Sequence, residues 1–263
     1  ILLKFVSEPY FTPESVEKEQ GIIGQEIGMT DDQPGYSIYY SLMKCLYSYN
    51  PLRYSVAGTV DSIAQITDKT LYDCHKVFYH PSNMALCVVG NVDPEKIIRT
   101  ARDILPDTTG QYPERDYGSP EPEAAASPRF ERHMDVGMPM FMIGFKHPGD
   151  VHGEELQKTI YTANLALEAV AGSSSPLYSR LYSQGLINKQ FGTEFEVVTV
   201  RSHSLISGES RDPEKVMSAL TEEISKVSRE GIDSGLFSRL KKAYTGLVLR
   251  TFNSFDSICY NVA

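Results

Sequence analysis

Apolar residues recur three and four positions apart in several stretches of this chain, and residues that start or stop helices bound each stretch. Residues 13–29 read as one helix: Thr12 is a good N-cap, Pro13 suits the first helical position, and Glu14 favours the positive helix end. Val16, Ile23 and Ile27 lie on the side of that helix which a globular protein normally buries. Residues 36–47 are also helical, with Ile38, Leu42, Cys45 and Leu46 along one side, and Asn50-Pro51 breaks the pattern. A short capped helix over 58–66 follows. Thr67-Asp68 caps another running to about Tyr79, and Asp93-Pro94 starts one that ends near Leu105. Later come a long amphipathic helix over 154–171, a short one reaching Gln184, and two that begin at Asp212 and Asp233.

Period-2 and continuous apolar runs supply the strands. Residues 84–89 (Met-Ala-Leu-Cys-Val-Val), bounded by Gly90, predict a buried strand. Residues 130–136 and 138–145 are strand-like and joined at Gly137; 191–199 and 202–209 are expected to pair as a hairpin. Strands and helices do not alternate regularly, so the fold class is α+β, with mostly antiparallel sheets and packed helices. Residues 106–128 carry five prolines, the run Ala124-Ala-Ala126 and little apolar periodicity, and read as an extended linker between 1–105 and 129–263.

The chain also repeats itself. Setting Asp233 on Thr12 gives an offset of 221, which places Phe237 on Val16, Arg239 on Lys18, Tyr244 on Ile23 and Val248 on Ile27. Residues 3–6 and 224–227 fall into the same register. Under that offset residue 263 matches residue 42, so the sequence holds one repeat and a short overlap.

Composition narrows the partners. The 263 residues are 41% hydrophobic and 22% charged, ordinary for a globular protein. A net charge of −9 and a pI near 5.2, with no basic stripe, argue against nucleic acid or an anionic membrane. No apolar run approaches the roughly 18 residues of a membrane span. Cys45, Cys74, Cys87 and Cys259 show no C-x-x-C spacing and read as buried free thiols of a reducing compartment. The sequence opens without Met or a signal peptide, already inside an amphipathic helix, which suggests a piece excised from a longer protein.

Candidate chemistry centres on Glu19 and Glu26. Seven residues at about 100° each return to within about 20°, so both carboxylates share one helix face. A solvated acidic helix edge would explain an ordinary pair. The repeat argues otherwise, because it sets Glu19 on Leu240 and Glu26 on Leu247. Two carboxylates where the other copy uses leucine need a cation, a metal or strong hydrogen bonds if buried.

These residues resemble the pitrilysin/insulinase family of zinc metallopeptidases, including the mitochondrial processing peptidases, and most closely its bacterial processing-protease-like branch. The carriers are Glu19-x6-Glu26 within Glu-Gln-Gly-Ile-Ile-Gly-Gln-Glu-Ile, then Gly58-Thr59, then Tyr79-His-Pro-Ser-Asn-Met84 leading into Val88-Val-Gly-Asn-Val-Asp93, the proline-rich linker and the Gly172-Ser-Ser-Ser stretch. The resemblance implies an inverted zinc motif, H-x-x-E-H, with Glu26 as the distal zinc ligand and Glu19 orienting the ligands around it. Three protein ligands then leave zinc an open position for water. It further implies that 1–105 is the later half of a first pitrilysin-like repeat and 129–263 most of a second, cut out of phase. The expected activity is hydrolysis of peptide bonds in peptides or small unfolded proteins, with zinc in the parent protein. Its setting is the bacterial cytoplasm, as a homodimer or a heterodimer with a related subunit.

The six histidines contain no H-x-x-E-H, so no zinc and no activity are expected of this fragment alone. The substrate-holding Arg and Tyr of the family's second repeat are also altered: the stretch reads Ser179-Arg-Leu-Tyr-Ser-Gln-Gly-Leu-Ile-Asn188, with Arg180 out of step and Asn188 in place of tyrosine. The alternative is therefore a non-catalytic partner subunit or pseudo-peptidase that binds peptide or stabilises an active relative. Other candidates carry less. His147-Pro-Gly-Asp-Val-His152-Gly-Glu-Glu155 reads as a solvated loop rather than a metal site, and His75 and His80 as packed or capping residues. Ser173-Ser-Ser175 lacks a nucleophile elbow. The 16 tyrosines, several between 36 and 54, read as packing helix against sheet with hydroxyls reaching water.

Overall fold

A computed structural model describes residues 1–105, 113–116, 118–147, 151–198 and 201–262. Residues 148–150, inside the histidine-rich stretch, and much of 106–117 fall outside that set. The chain forms two compact units. Unit 1 comprises 1–28, 57–117 and 247–263; unit 2 comprises 29–56 and 118–246.

In unit 1, α1 (Leu2–Ser7) is followed by most of α2 (Pro13–Asp31). Thr12 and Ser15 bond reciprocally at the start of α2: the Ser15 N–H donates to Thr12 Oγ1 at 3.1 Å and the Thr12 N–H to Ser15 Oγ at 3.0 Å. α3 (Pro34–Leu46) belongs to unit 2. Back in unit 1, α4 (Val60–Ile63) and α5 (Asp68–Phe78) each begin with a threonine capping box, at Thr59 and Thr67, and Asp93 caps α6 (Pro94–Ile104) through the N–H groups of Glu95 and Lys96. The Gln20 amide donates to the carbonyls of Ile63 and Ile66, at 3.1 and 2.7 Å, and pins α2 to the α4 turn. The imidazole of His75 bonds the Val6 carbonyl at 2.8 Å and stacks on Tyr79, a packing role, while His80 accepts from the Ser82 N–H.

Residues 84–89 do not form the expected strand. They have no ladder partner among the described residues, and Leu86 and Val88 are exposed. Residues 130–136 likewise join no ladder. An apolar run supplies one half of a strand, and the pairing supplies the other.

Unit 2 is built on a three-stranded antiparallel sheet of β1 (Met140–His147), β2 (Gly192–Val198) and β3 (Arg201–Glu209), in the order β1-β3-β2. The register pairs Ile143 with Ile206 and Lys146 with His203 on one side, and Glu196 with His203 on the other. β3 is central and covered on both faces, so its interior is buried even at Ser202, His203 and Ser204. Directly opposed and alternate residues share a face. Ile206, Phe141 and Phe191 meet Leu177 and Leu181 of α8 (Pro176–Ser183) and Val216 and Leu220 of α9 (Pro213–Glu230), beside α7 (Gly153–Ala171). Leu205 faces the other way, onto Met43, Leu46 and Tyr47 at the end of α3. Gly144 allows that approach: a Cβ there would lie 2.9 Å from Leu46 Cδ1 and about as near the Leu42 methyls. Ser175 is an internal N-cap, accepting from the Tyr178 N–H at 3.0 Å. α10 (Ser234–Thr251) and α11 (Phe255–Val262) end the chain. The helix boundaries follow the repeat: α2 and α10, and again α3 and α11, begin 221 residues apart.

Candidate functional site

α2 presents both acidic candidates on one continuous helix, about 10 Å apart along its axis. Its buried residues are Val16 and Ile27, whereas Glu19 and Glu26 are exposed. The repeat is thus half informative about burial: Leu240, opposite Glu19, is 7% exposed, but Leu247, opposite Glu26, is 57% exposed. A zinc site needs three protein ligands and an open position. Among the described residues no group of three or more His, Cys, Asp and Glu side chains could hold a metal. The residues present therefore do not fit a zinc ion by themselves.

Unit 2 contains a polar framework that sequence reasoning missed. The Glu196 carboxylate accepts at Oε2 from the Tyr39 hydroxyl and from His203 Nε2, both at 2.8 Å. With that nitrogen carrying the proton, His203 Nδ1 accepts from the Tyr47 hydroxyl at 2.9 Å. Tyr47 and His203 are fully buried, so this hydroxyl reaches a histidine rather than water. Burial holds His203 below the usual imidazole range, against the opposing pull of Glu196. It pushes the Tyr47 phenol up to about 12, with Glu121 adding to the rise, and raises Tyr39, aided by its bond to Glu196. Next to it, His147 bonds Ser204 Oγ at 2.6 Å and is also lowered, by burial and then by His203.

A second anchor joins the proline-rich segment to the end of α3. Glu121 accepts from three successive backbone N–H groups, Ser48, Tyr49 and Asn50, at 2.8, 2.8 and 2.9 Å. Lys146 Nζ lies 3.2 Å from the same carboxylate and donates to the carbonyls of Leu46 and Ala124, both at 2.8 Å. Both side chains are about 5% exposed. Burial alone would raise the Glu121 carboxyl, but the backbone donors and Lys146 outweigh it and hold it at about 2. The only sequence signal for these contacts was polar residues inside predicted strands, at Glu196 and His203; Glu121 lay in the expected linker and gave none. The bonds from Tyr39 to Glu196, from Tyr47 to His203 and from the 48–50 backbone to Glu121 span 71 to 157 positions.

The altered stretch at 179–188 is engaged within the chain. Arg180 lies 3.6 Å from the buried Glu223, and the Asn188 amide donates to Glu209 at 2.6 Å. All four cysteines are free thiols, but none is fully buried and Cys74 is exposed. Among the described residues no helix is long and apolar enough to cross a membrane.

Residues 65–244 match the family described as the peptidase M16 inactive domain. "Uncharacterized zinc protease YmfH" of Bacillus subtilis is 38% identical over 98% of this chain and 60% of its own length. The crystal structure of an M16-like peptidase from Alicyclobacillus acidocaldarius superposes with a TM-score of 0.91 at 31% identity, covering 99% of this chain and 62% of that one. A Helicobacter pylori protease shares the fold, with a TM-score of 0.80 at 18% identity. The chain spans about 60% of the length of the relatives it matches. With more than half of its residues inside that match, and α+β units of the same architecture, it belongs to the pitrilysin-like peptidase M16 family, its greater part corresponding to the inactive domain.

Proposed function

We propose that this chain is the greater part of a zinc-dependent endopeptidase that hydrolyses peptide bonds in peptides or small unfolded proteins, and that it is inactive alone. The observation that carries the reading is the carboxylate pair on one exposed face of α2, in a chain of a family whose relatives are named zinc proteases. Glu26 supplies the third zinc ligand and Glu19 orients the ligands around it. The two histidines and the water-activating glutamate come from an H-x-x-E-H segment outside this sequence. Zinc, when bound, polarises the scissile carbonyl and acidifies its water. What the described residues contribute is placement: Val16 and Ile27 seat α2, and the Gln20 amide fixes it to the α4 turn, so both carboxylates stay on the open side. The setting is the bacterial cytoplasm, in a processing-peptidase-like homodimer or heterodimer with a related subunit. The net charge of −9 supports a peptide rather than a nucleic acid as the partner.

A second reading has its own support. The matched family is described as an inactive domain, and Arg180 and Asn188 are engaged by Glu223 and Glu209. Under this reading the protein is a non-catalytic subunit that binds peptide or stabilises an active relative. Zinc content and peptide cleavage of the full-length protein, wild type against Glu26→Gln, decide between the two. One zinc per chain and cleavage, both lost in Glu26→Gln, support the peptidase. A wild type that binds no zinc and cuts no peptide leaves the partner subunit.

A further inference from the structure

The turn from α9 to α10 stands against the ends of α7 and α8, and between them lies a cavity of about 290 Å³ within unit 2. Ala169, Pro176, Val227, Ile232 and Leu236 give it apolar walls, continuous with the core cluster of Ala169, Leu236 and Leu240. Its charges are lopsided: Glu223, Glu230 and Asp233 stand against one lysine, Lys226. The backbone adds to the imbalance. The last turn of α9, the negative end of that helix, lines the cavity. The positive start of α10 is already met by Asp233 Oδ1, which accepts from the Leu236 N–H at 2.7 Å. Glu230 and Asp233 are exposed, but the Glu223 side chain is only 6% exposed. A carboxylate so far from water needs close donors. Glu223 has loose ones: Lys226 Nζ is 3.4 Å from Oε1, and Arg180 Nη2, at 3.6 Å from Oε2, is beyond hydrogen-bond reach. Both cations are themselves about half exposed to water.

We propose that this cavity is a binding site for a small organic cation, an ammonium or guanidinium carried on a short aliphatic stem. The head group gives Glu223 Oε2 the charge-assisted hydrogen bond it lacks, and Glu230 and Asp233 at the mouth add attraction. The stem lies along Val227, Ile232 and Leu236 and leaves water there, as the stem of a lysine or arginine does on an apolar surface. The volume is just under the roughly 300–1,000 Å³ of drug-sized sites, which selects a ligand with few heavy atoms. A metal ion does not fit. Among the described residues no three carboxylate, thiol or imidazole groups converge to hold one, and the apolar walls offer it no oxygen. An anion would meet the excess of negative charge. A free alkylamine and the basic side chain of a peptide present the same head and stem. The cavity belongs to the unit that does not hold Glu19 and Glu26, so its occupancy is independent of the peptidase reading.

The test is isothermal titration calorimetry of the full-length protein with agmatine, with 1-pentanol as the uncharged control and N-acetyl-arginine amide as the blocked peptide form. Agmatine should bind and pentanol should not. Glu223→Gln should weaken agmatine roughly tenfold or more, the contribution of one hydrogen bond to a charged group. Glu230→Gln combined with Asp233→Asn, which keeps an α10 cap, should weaken it roughly two- to fivefold. Lys226→Met should tighten it, because that ammonium competes for the same carboxylate. Residues that only hold the helices together would not move affinity in opposite directions. Binding of agmatine alone identifies a free amine as the ligand, and binding of N-acetyl-arginine amide a peptide side chain. Should Glu223→Gln fail to fold, the double variant and Lys226→Met carry the test. No binding of either cation at millimolar concentration, or equal affinity in wild type and every folded variant, overturns the inference.

Discussion

Removing the Glu121 carboxylate should destabilise unit 2 by about 3 kcal/mol at neutral pH, and the loss should fade in acid. The magnitude comes from the anchor itself. The carboxyl sits at about 2 against an ordinary 4.5, a shift worth roughly 3 kcal/mol of preferential stabilisation of the ionised form. Deleting one partner of a buried pair costs about 3–5 kcal/mol, because it strands the other, here the Lys146 ammonium. Glu121→Gln keeps the shape but removes the charge and turns an amide N–H₂ toward backbone donors. The native value lies below the unfolded one, so the stabilisation is complete above about pH 5.5 and drains as pH falls through 4.5 toward 2. Urea unfolding of wild type and Glu121→Gln between pH 7 and pH 2.5 reads this directly. The gap should be widest at neutral pH and close by the acid end. A neutral-pH gap under about 0.5 kcal/mol, or one that ignores pH, would refute the reasoning. Adding Lys146→Met to Glu121→Gln should recover part of the loss, since no buried cation is then left alone.

Other consequences are as direct. His203→Ala should cost roughly 2–4 kcal/mol at pH 7 by stranding the Tyr47 hydroxyl and opening a cavity, measured by chemical denaturation. Because burial lowers His203 and His147, their stabilisation is present above about pH 6.5 and lost as pH falls below it. Wild type should therefore weaken from pH 7 to pH 5, and His203→Ala should weaken less over that interval. Gly208→Ala should destabilise more than Gly144→Ala, within a range of about 1–3 kcal/mol by thermal melts. A Cβ at Gly208 meets the Phe191 backbone at 3.1 Å, whereas one at Gly144 meets leucine methyls that can turn aside.

What the sequence revealed was set by local physics. Thr67, Asp93, Asp212 and Asp233 mark helix starts because a side-chain cap is a contact within three residues. The 192–209 hairpin was equally legible, its strands being separated only by 199–200. Residues 84–89 and 130–136 were overread, since apolarity says nothing about whether a partner strand is present. Glu19 and Glu26 fall on one face by helical arithmetic alone, but their exposure depends on what packs over α2, which no spacing encodes. Of the α3 tyrosines, Tyr39 does pack helix against sheet, but its hydroxyl bonds Glu196 of β2. The surprise is that Tyr47 meets a buried histidine from a strand 156 residues on.

The interleaving of the two units governs the order in which they can be completed during synthesis. Unit 2 has all of its residues once Gly246 has been made, but unit 1, which holds the first residues of this sequence, still lacks 247–262. Unit 1, begun before unit 2, is thus completed after it, and 1–28 and 57–105 must wait for 247–262 to be made. For the same reason, a nick in the proline-rich segment does not release two self-sufficient halves. Each product carries away a piece that the other's unit requires, so 1–105 and 118–263 should regain structure when mixed rather than apart.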